Sequence, residues 1–204
     1  MSTSNLKSLT LRTFNHPIQV DVLPISLQVL YLDEYNHPLK ASVLPNGLKS
    51  LYIYALEYPL EKGSLPSSLT SISMVRYQSS FESVAPLNLS HLFVSFIDPS
   101  ISKVLSNVQD ISIKTNEISP LVSLKSTSIQ NLCLSLRVKT PIHTDLLPLS
   151  LRKLRLQGMT IPSSAVIPKS CFYLKTDIKD LDPTSIPKSV RYNIFSGVKK
   201  LINF

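Results

Sequence analysis

A six-residue apolar pattern recurs along the whole chain and constrains its fold more than any other feature. The pattern apolar-x-x-apolar-x-apolar occurs as Leu6-Lys7-Ser8-Leu9-Thr10-Leu11 and again as Leu27-Gln28-Val29-Leu30-Tyr31-Leu32. It returns as Leu48-Lys49-Ser50-Leu51-Tyr52-Ile53 and Leu69-Thr70-Ser71-Ile72-Ser73-Met74. Further copies begin at Leu89, Val108, Ile129, Leu151 and Cys171, with a degraded one at Val190. The steps between first residues are 21, 21, 21, 20, 19, 21, 22, 20 and 19. A near-constant period that uses up the chain is the signature of a solenoid, in which each unit packs only on its neighbours. Residues 1–204 therefore read as a single repeat domain, and 197–204, which break the period, read as a short C-terminal cap.

Each unit carries two flanking marks. Before the apolar triplet stands Leu-Pro-x-Ser, as in Leu23-Pro24-Ile25-Ser26, Leu65-Pro66-Ser67-Ser68 and Leu147-Pro148-Leu149-Ser150. After it stands aromatic-Asn-x-Pro-apolar, as in Phe14-Asn15-His16-Pro17-Ile18 and Tyr35-Asn36-His37-Pro38-Leu39. The combined pattern resembles the FNIP repeat, a short leucine-rich-repeat-like unit. The resemblance is strong in the first three units and weaker between Val75 and Ser128, where the proline is lost. It implies a leucine-rich-repeat-like solenoid that binds other proteins. In this family such solenoids are often joined to an F-box, for which the residues before Leu6 leave no room.

The residues point to the same architecture. The end of each triplet alternates apolar and polar, which makes a short half-buried strand. Stacked units would set about ten such strands in one parallel sheet, a strip roughly 45 Å long at ~4.8 Å per rung. The inward ladder reads Leu9, Leu30, Leu51, Ile72, Leu92, Ile111, Leu132, Leu154 and Leu174. A unit of about 20 residues with Leu-Pro-x-Ser at its return leaves little room for a helix, because proline lacks the N–H and biases its predecessor to extended backbone. The expected fold is all-β, with an extended or polyproline-II-like convex side and little or no helix. Asn15 and Asn36 are expected to bond backbone groups of an adjacent rung, a ladder that Glu57, Gln78 and Asp98 would end. The first rung has no cap before it, so its open edge invites self-association, or the chain is a piece of a longer product.

Composition narrows the function. Only 4 glycines, and neither G-x-G-x-x-G nor a Walker lysine loop, exclude Gly-rich phosphate-binding motifs. Fifteen prolines exclude a bundle of long helices. Two cysteines and a start without an apolar signal segment suit a reducing, cytoplasmic setting. No apolar run reaches the length of a membrane-spanning helix. Cys133 and Cys171 lie two rungs apart, beyond disulfide reach, and are expected as free thiols. His16 and His37 could stack one rung apart, but no third ligand recurs, so neither metal nor cofactor is expected. No nucleophile and base share a rung, and no catalytic residues are assigned.

Two surface features stand out. The row alternating with the ladder reads Thr10, Tyr31, Tyr52, Ser73, Phe93, Ser112, Cys133, Arg155, Lys175, Ile194, and the row before it includes His91, Asp110, Asn131, Lys153, Tyr173 and Tyr192. Tyr31, Tyr52, Tyr54, His91 and Phe93 are candidate partner-binding residues, since exposed aromatics are typical of interfaces. Charge is uneven: residues 1–120 carry net −1 and residues 121–204 net +9. On the strip this gathers Arg152, Lys153, Arg155, Lys175 and Arg191 into a candidate patch for an anionic partner. The expected function is a non-enzymatic module binding another protein on the concave sheet face. The alternative is an electrostatic binder of nucleic acid or an anionic membrane, with nucleic acid disfavoured by the lack of a recognised motif.

Overall fold

The computed structural model describes residues 5–179 and 181–194. The proposed cap at 197–204 lies outside the described residues. Ten strands follow one another as β1 (Ser8–Leu11), β2 (Val29–Leu32), β3 (Ser50–Ile53), β4 (Ser71–Met74), β5 (His91–Ile97), β6 (Asp110–Ile118), β7 (Asn131–Pro141), β8 (Lys153–Thr160), β9 (Tyr173–Thr176) and β10 (Arg191–Ile194). They form one sheet in sequence order, every pair parallel. Among the described residues, the return side holds a single α-helical turn, α1 (Ile101–Val104), and two three-residue 3₁₀ turns at Ser164–Val166 and Pro183–Ser185. The chain is thus an all-β parallel solenoid with almost no helix.

Rungs join through a repeated backbone device. Gln28 and Val29 both donate their N–H to the Lys7 carbonyl, and Lys49 and Ser50 to that of Gln28. Thr70 and Ser71 do the same with Lys49, and Arg152 and Lys153 with Gln130. One carbonyl with two lone pairs thereby anchors the new strand at most rungs. The Leu-Pro-x-Ser segment is a turn closed by the proline carbonyl, which accepts from Leu27, Leu48, Leu69, Leu151, Cys171 and Val190 in their units. Proline suits this place because its N–H is not needed and its carbonyl is. Where proline is lost, Leu105 supplies the carbonyl to Val108 and the turn survives.

Side chains add two clasps between rungs. The Asn15 side-chain oxygen accepts the Asn36 N–H at 2.9 Å, and that of Asn36 accepts the Glu57 N–H at 3.0 Å. The ladder stops there, as the change to Glu57 predicts. The serine of Leu-Pro-x-Ser provides the second clasp: Ser26 donates to the Leu6 carbonyl at 2.8 Å and Ser150 to that of Ile129 at 2.7 Å. Sequence inspection marks this serine but not its role.

One apolar cluster fills the space between the strand ladder and the return wall. Leu30, Leu51, Ile72, Leu92, Leu132, Leu154 and Leu174 are buried from the strand side, and Ile18, Leu39, Leu60, Leu23, Leu44 and Leu147 from the other. Leu9 and Leu11, on the first strand, are only partly buried. Tyr77 is fully buried, donates to the Ser80 carbonyl at 2.7 Å and accepts the Leu60 N–H of the preceding unit.

Register departs from the expected rows at two places. From β5 to β6, His91 pairs with Ser112, Leu92 with Ile113 and Phe93 with Lys114. The rows read from sequence placed His91 beside Asp110 and Phe93 beside Ser112, so β6 is displaced by two residues. The partners remain 21 residues apart, while the apolar triplet of this unit arrives after a 19-residue step. A slip of two keeps every side chain on its own face, which is why the core tolerates it. From β9 to β10 the slip is one residue: Arg191 pairs with Tyr173, and Tyr192 with Leu174. Tyr192 and Ile194 therefore fall in the ladder register and not in the outer rows. This occurs on the last described strand, where both remain substantially exposed.

A third irregularity lies between β7 and β8. Ser135 pairs with Gln157 and Thr140 with Met159, so Leu136 to Lys139 bulge opposite Gly158 alone. Gly158 has φ +69°, and a Cβ there would run into the Leu136 carbonyl oxygen. Its N–H donates to the Asp177 carboxylate on the next unit.

Three outcomes follow from this packing. Leu92→Ala, in mid-stack and 1% exposed, lowers unfolding free energy by about 2–5 kcal/mol in urea titration. Gly158→Ala costs about 2–4 kcal/mol in the same assay, from the left-handed backbone together with the carbonyl clash. Burial pushes the Tyr77 hydroxyl up to about 12, partly opposed by the Leu60 N–H bond. The unfolded chain ionises this tyrosine near 10, so the folded state holds the proton more tightly. Its stabilising contribution is complete below pH 10 and disappears as pH rises towards 12. The urea midpoint of the wild type therefore falls more steeply across that window than that of Tyr77→Phe.

Candidate functional site

Side chains on the outer face of the sheet line up in lateral rows set by the observed register. One row runs Thr10, Tyr31, Tyr52, Ser73, Phe93, Lys114, Ser135 and Gln157. A second runs Ser8, Val29, Ser50, Ser71, His91, Ser112, Cys133, Arg155 and Lys175. A third starts only at β6, with Asp110, Asn131, Lys153, Tyr173 and Arg191. The two-residue slip creates this arrangement. The aromatic row leads to Lys114, not to the basic rungs, while His91 leads directly to Arg155 and Lys175.

The aromatics are held by their neighbours. Tyr31 and Tyr52 pack ring to ring at 5.7 Å between centroids, tilted by 41°. The Lys114 ammonium lies 5.2 Å from the centre of the Phe93 ring, and the Arg76 guanidinium 5.3 Å from that of Tyr54. Both are cation–π contacts within the sheet face. Tyr31 and Tyr54 are about two-fifths exposed, while Tyr52, Phe93 and His91 are half-buried. His91 Nδ1 is 3.0 Å from the Ser90 hydroxyl. Tyr31, Tyr52 and Phe93 thus share a row, Tyr54 stands beyond the end of β3, and His91 belongs with the second row.

The basic residues keep the neighbours that the sequence rows give them, except that Arg191 takes the place of Tyr192 beside Tyr173. Lys153 and Arg191 flank Tyr173 in the third row, and Arg155 lies beside Lys175 in the second. Arg152 precedes β8 and is exposed. Between these rows and His91 the sheet face is recessed, forming an open groove of about 480 Å³ across β5 to β9. Its walls include His91, Cys133, Lys153, Arg155, Tyr173 and Lys175. Asp110 also faces it and accepts a hydrogen bond from the Asn131 side chain. Sequence inspection did not single out the groove, nor Ser112, Asn131 and Tyr173 within it. The 19-residue step from Leu89 to Val108 marks the slip at β6 but not the groove itself.

Both cysteines are free thiols. Cys171 is buried, and burial pushes its thiol up. Cys133 is half-buried on the groove floor between Ser112 and Arg155. The paired histidines are used in packing: His16 meets the edge of Phe14, His37 that of Tyr35, and His37 Nε2 lies 3.0 Å from the Asn15 carbonyl. Among the described residues no three His, Cys, Asp or Glu side chains gather as a metal site, and no helix is long and apolar enough to cross a membrane.

Comparison with known proteins fits this geometry. A search of curated proteins returns no match. Among solved structures, the crystal structure of CroV588, described as a novel circular LRR protein, superposes with a TM-score of 0.68 at 25% identity over 92% of this chain. The chain spans about 30% of the length of that protein. The FNIP Repeat family model matches residues 3–34 and 35–75, the segments that hold the Asn ladder. Residues 3–75 thus match the FNIP Repeat family, and the chain is built along its described length as a leucine-rich-repeat-like β-solenoid.

Proposed function

We propose that this chain is a non-enzymatic interaction module that binds another protein on the outer face of its sheet. Leucine-rich-repeat-like solenoids commonly mediate protein interactions, and the repeat geometry explains why. Ten parallel strands present a continuous face whose outward residues are free to vary while the ladder beneath stays constant. The observation that carries the reading is the open groove across β5 to β9, lined in part by basic rungs, on the same sheet face as the Tyr31–Tyr52 pair of β2 and β3. A stable interface needs about 800 Å² per partner. A strip roughly 43 Å wide, from nine steps of about 4.8 Å, can supply it.

The test is affinity capture from lysate at low and high salt, with bound proteins identified by mass spectrometry. Wild type is compared with a sheet-face variant, Tyr31→Ala/Tyr52→Ala/Phe93→Ala, and with a turn-side variant, Ile25→Ser/Leu149→Ser. The expected outcome is a discrete protein kept at high salt, lost from the sheet-face variant and retained by the turn-side one. Capture of nucleic acid or lipid alone, released by salt and indifferent to the aromatics, would instead favour the electrostatic alternative.

A further inference from the structure

Of the first three Leu-Pro-x-Ser segments, the middle one lacks its serine and reads Leu44-Pro45-Asn46-Gly47. The serines on either side tie their units to the rung before: Ser26 donates to the Leu6 carbonyl at 2.8 Å and Ser68 to that of Leu48 at 2.5 Å. Gly47 has no hydroxyl, so the equivalent acceptor, the Leu27 carbonyl, receives no such bond. The backbone does not call for glycine here. Gly47 has no left-handed φ, unlike Gly63 at +78°, and a Cβ on it would stand 3.4 Å from the Ile25 carbonyl oxygen and 3.9 Å from that of Leu27. Asn46 and Gly47 are both exposed, in a turn closed by the Leu48 N–H donating to the Pro45 carbonyl at 3.0 Å. Among the described residues no hydrogen bond engages the Asn46 side chain or the Gly47 N–H. Asn15 and Asn36, by contrast, each hold an N–H of the following rung.

Asparagine followed by glycine is a reactive pair. The Gly47 nitrogen can close a five-membered ring on the Asn46 side-chain carbon, Cγ. Glycine carries no Cβ to crowd that nitrogen, and its freedom in φ and ψ lets the two atoms meet. Every other asparagine of the chain precedes a residue with a side chain, as in Asn36-His37 and Asn131-Leu132. We propose that Asn46-Gly47 is a site of spontaneous deamidation and isoaspartate formation, and that the isoaspartate loosens the junction between β2 and β3. The Gly47 nitrogen attacks Cγ. The N–Cγ bond forms, the Cγ–Nδ2 bond breaks, and the Gly47 proton leaves with the amide nitrogen as ammonia. Water then opens the succinimide at one of its two carbonyls, and no other co-reactant is needed. Opening at Cγ restores the main chain and leaves aspartate. Opening at the backbone carbonyl carbon of residue 46 leaves isoaspartate, whose main chain runs through Cβ and Cγ and is one carbon longer. That carbon enters the turn between the Pro45 carbonyl and the Leu48 N–H. Leu48 is fully buried and opens the third unit, where the serine clasp is missing.

The test ages the folded full chain at mildly alkaline pH, which favours attack by the backbone nitrogen. Trypsin then releases residues 41–49 as one peptide, bounded by Lys40 and Lys49. Mass spectrometry reads the loss of amide, and an isoaspartate-specific carboxyl methyltransferase with a labelled methyl donor counts isoaspartate. Asn36 and Asn131 serve as controls within the same chain. Asn46 is expected to lose its amide about tenfold faster than either, or more, and mainly to isoaspartate. In Gly47→Ser the loss slows about tenfold or more, and the new hydroxyl reaches the Leu27 carbonyl, so the urea midpoint rises. Gly47→Ala slows the reaction without supplying a hydroxyl and separates the two effects. In the aged wild type the isoaspartate fraction unfolds at lower urea than the unmodified fraction, whereas Asn46→Asp unfolds with the unmodified wild type. Amide loss at Asn46 no faster than at Asn36, or equally fast in wild type, Gly47→Ser and Gly47→Ala, would overturn the site. An isoaspartate fraction with the unmodified urea midpoint would overturn its effect on the junction.

Discussion

The solenoid depends on one backbone contact: at most rungs the carbonyl just before the strand accepts two N–H groups from the rung that follows. Lys7, Gln28, Lys49, Gln109 and Gln130 all do this. A four-residue strand cannot bury its own apolar face or satisfy its own polar backbone. With this contact repeated, each rung becomes the template for the next, and stability accumulates through neighbours. The Asn15–Asn36 clasp and the serine bonds from Ser26 and Ser150 strengthen the same junction from the two ends of the strand.

Because the template acts on backbone, it tolerates changes in side-chain pattern. Proline is dispensable when Leu105 presents the same carbonyl. A unit can shift by two residues, as at β5 to β6, since alternation keeps Leu92 and Ile113 both inside. That tolerance has a functional consequence. The slip separates the aromatic row from the basic rungs and brings His91 into line with Cys133, Arg155 and Lys175. A face that would otherwise be one graded strip becomes two regions, an aromatic one whose rings pack on one another or on cations and a recessed one rich in positive charge.

Much of this was legible in the residues. Spacing of Leu27, Leu48 and Leu69 sets the period, and the alternation of Leu30-Tyr31-Leu32 assigns inside and outside. The end of the Asn ladder at Glu57 could be read directly, because only a short side-chain acceptor reaches the next rung. The groove could not. Its walls come from five units, and their relative heights depend on how many residues each return segment consumes in three dimensions. The bulge of Leu136 to Lys139 against Gly158 was equally hidden, since it reflects a close approach of two backbones that no local pattern records.

By itself, the sequence determined the solenoid, the number of strands, their parallel order and, up to the ninth strand, the face each side chain takes, because these follow from a period and a parity that short-range chemistry enforces. Tertiary structure alone decided the register between units. A shift of two residues changes no side chain's face and only modestly changes buried area, so apolar patterning cannot choose between the alternatives. The choice falls to the length and packing of the return segments, α1 among them, and it is that choice which brings His91 into line with Cys133, Arg155 and Lys175.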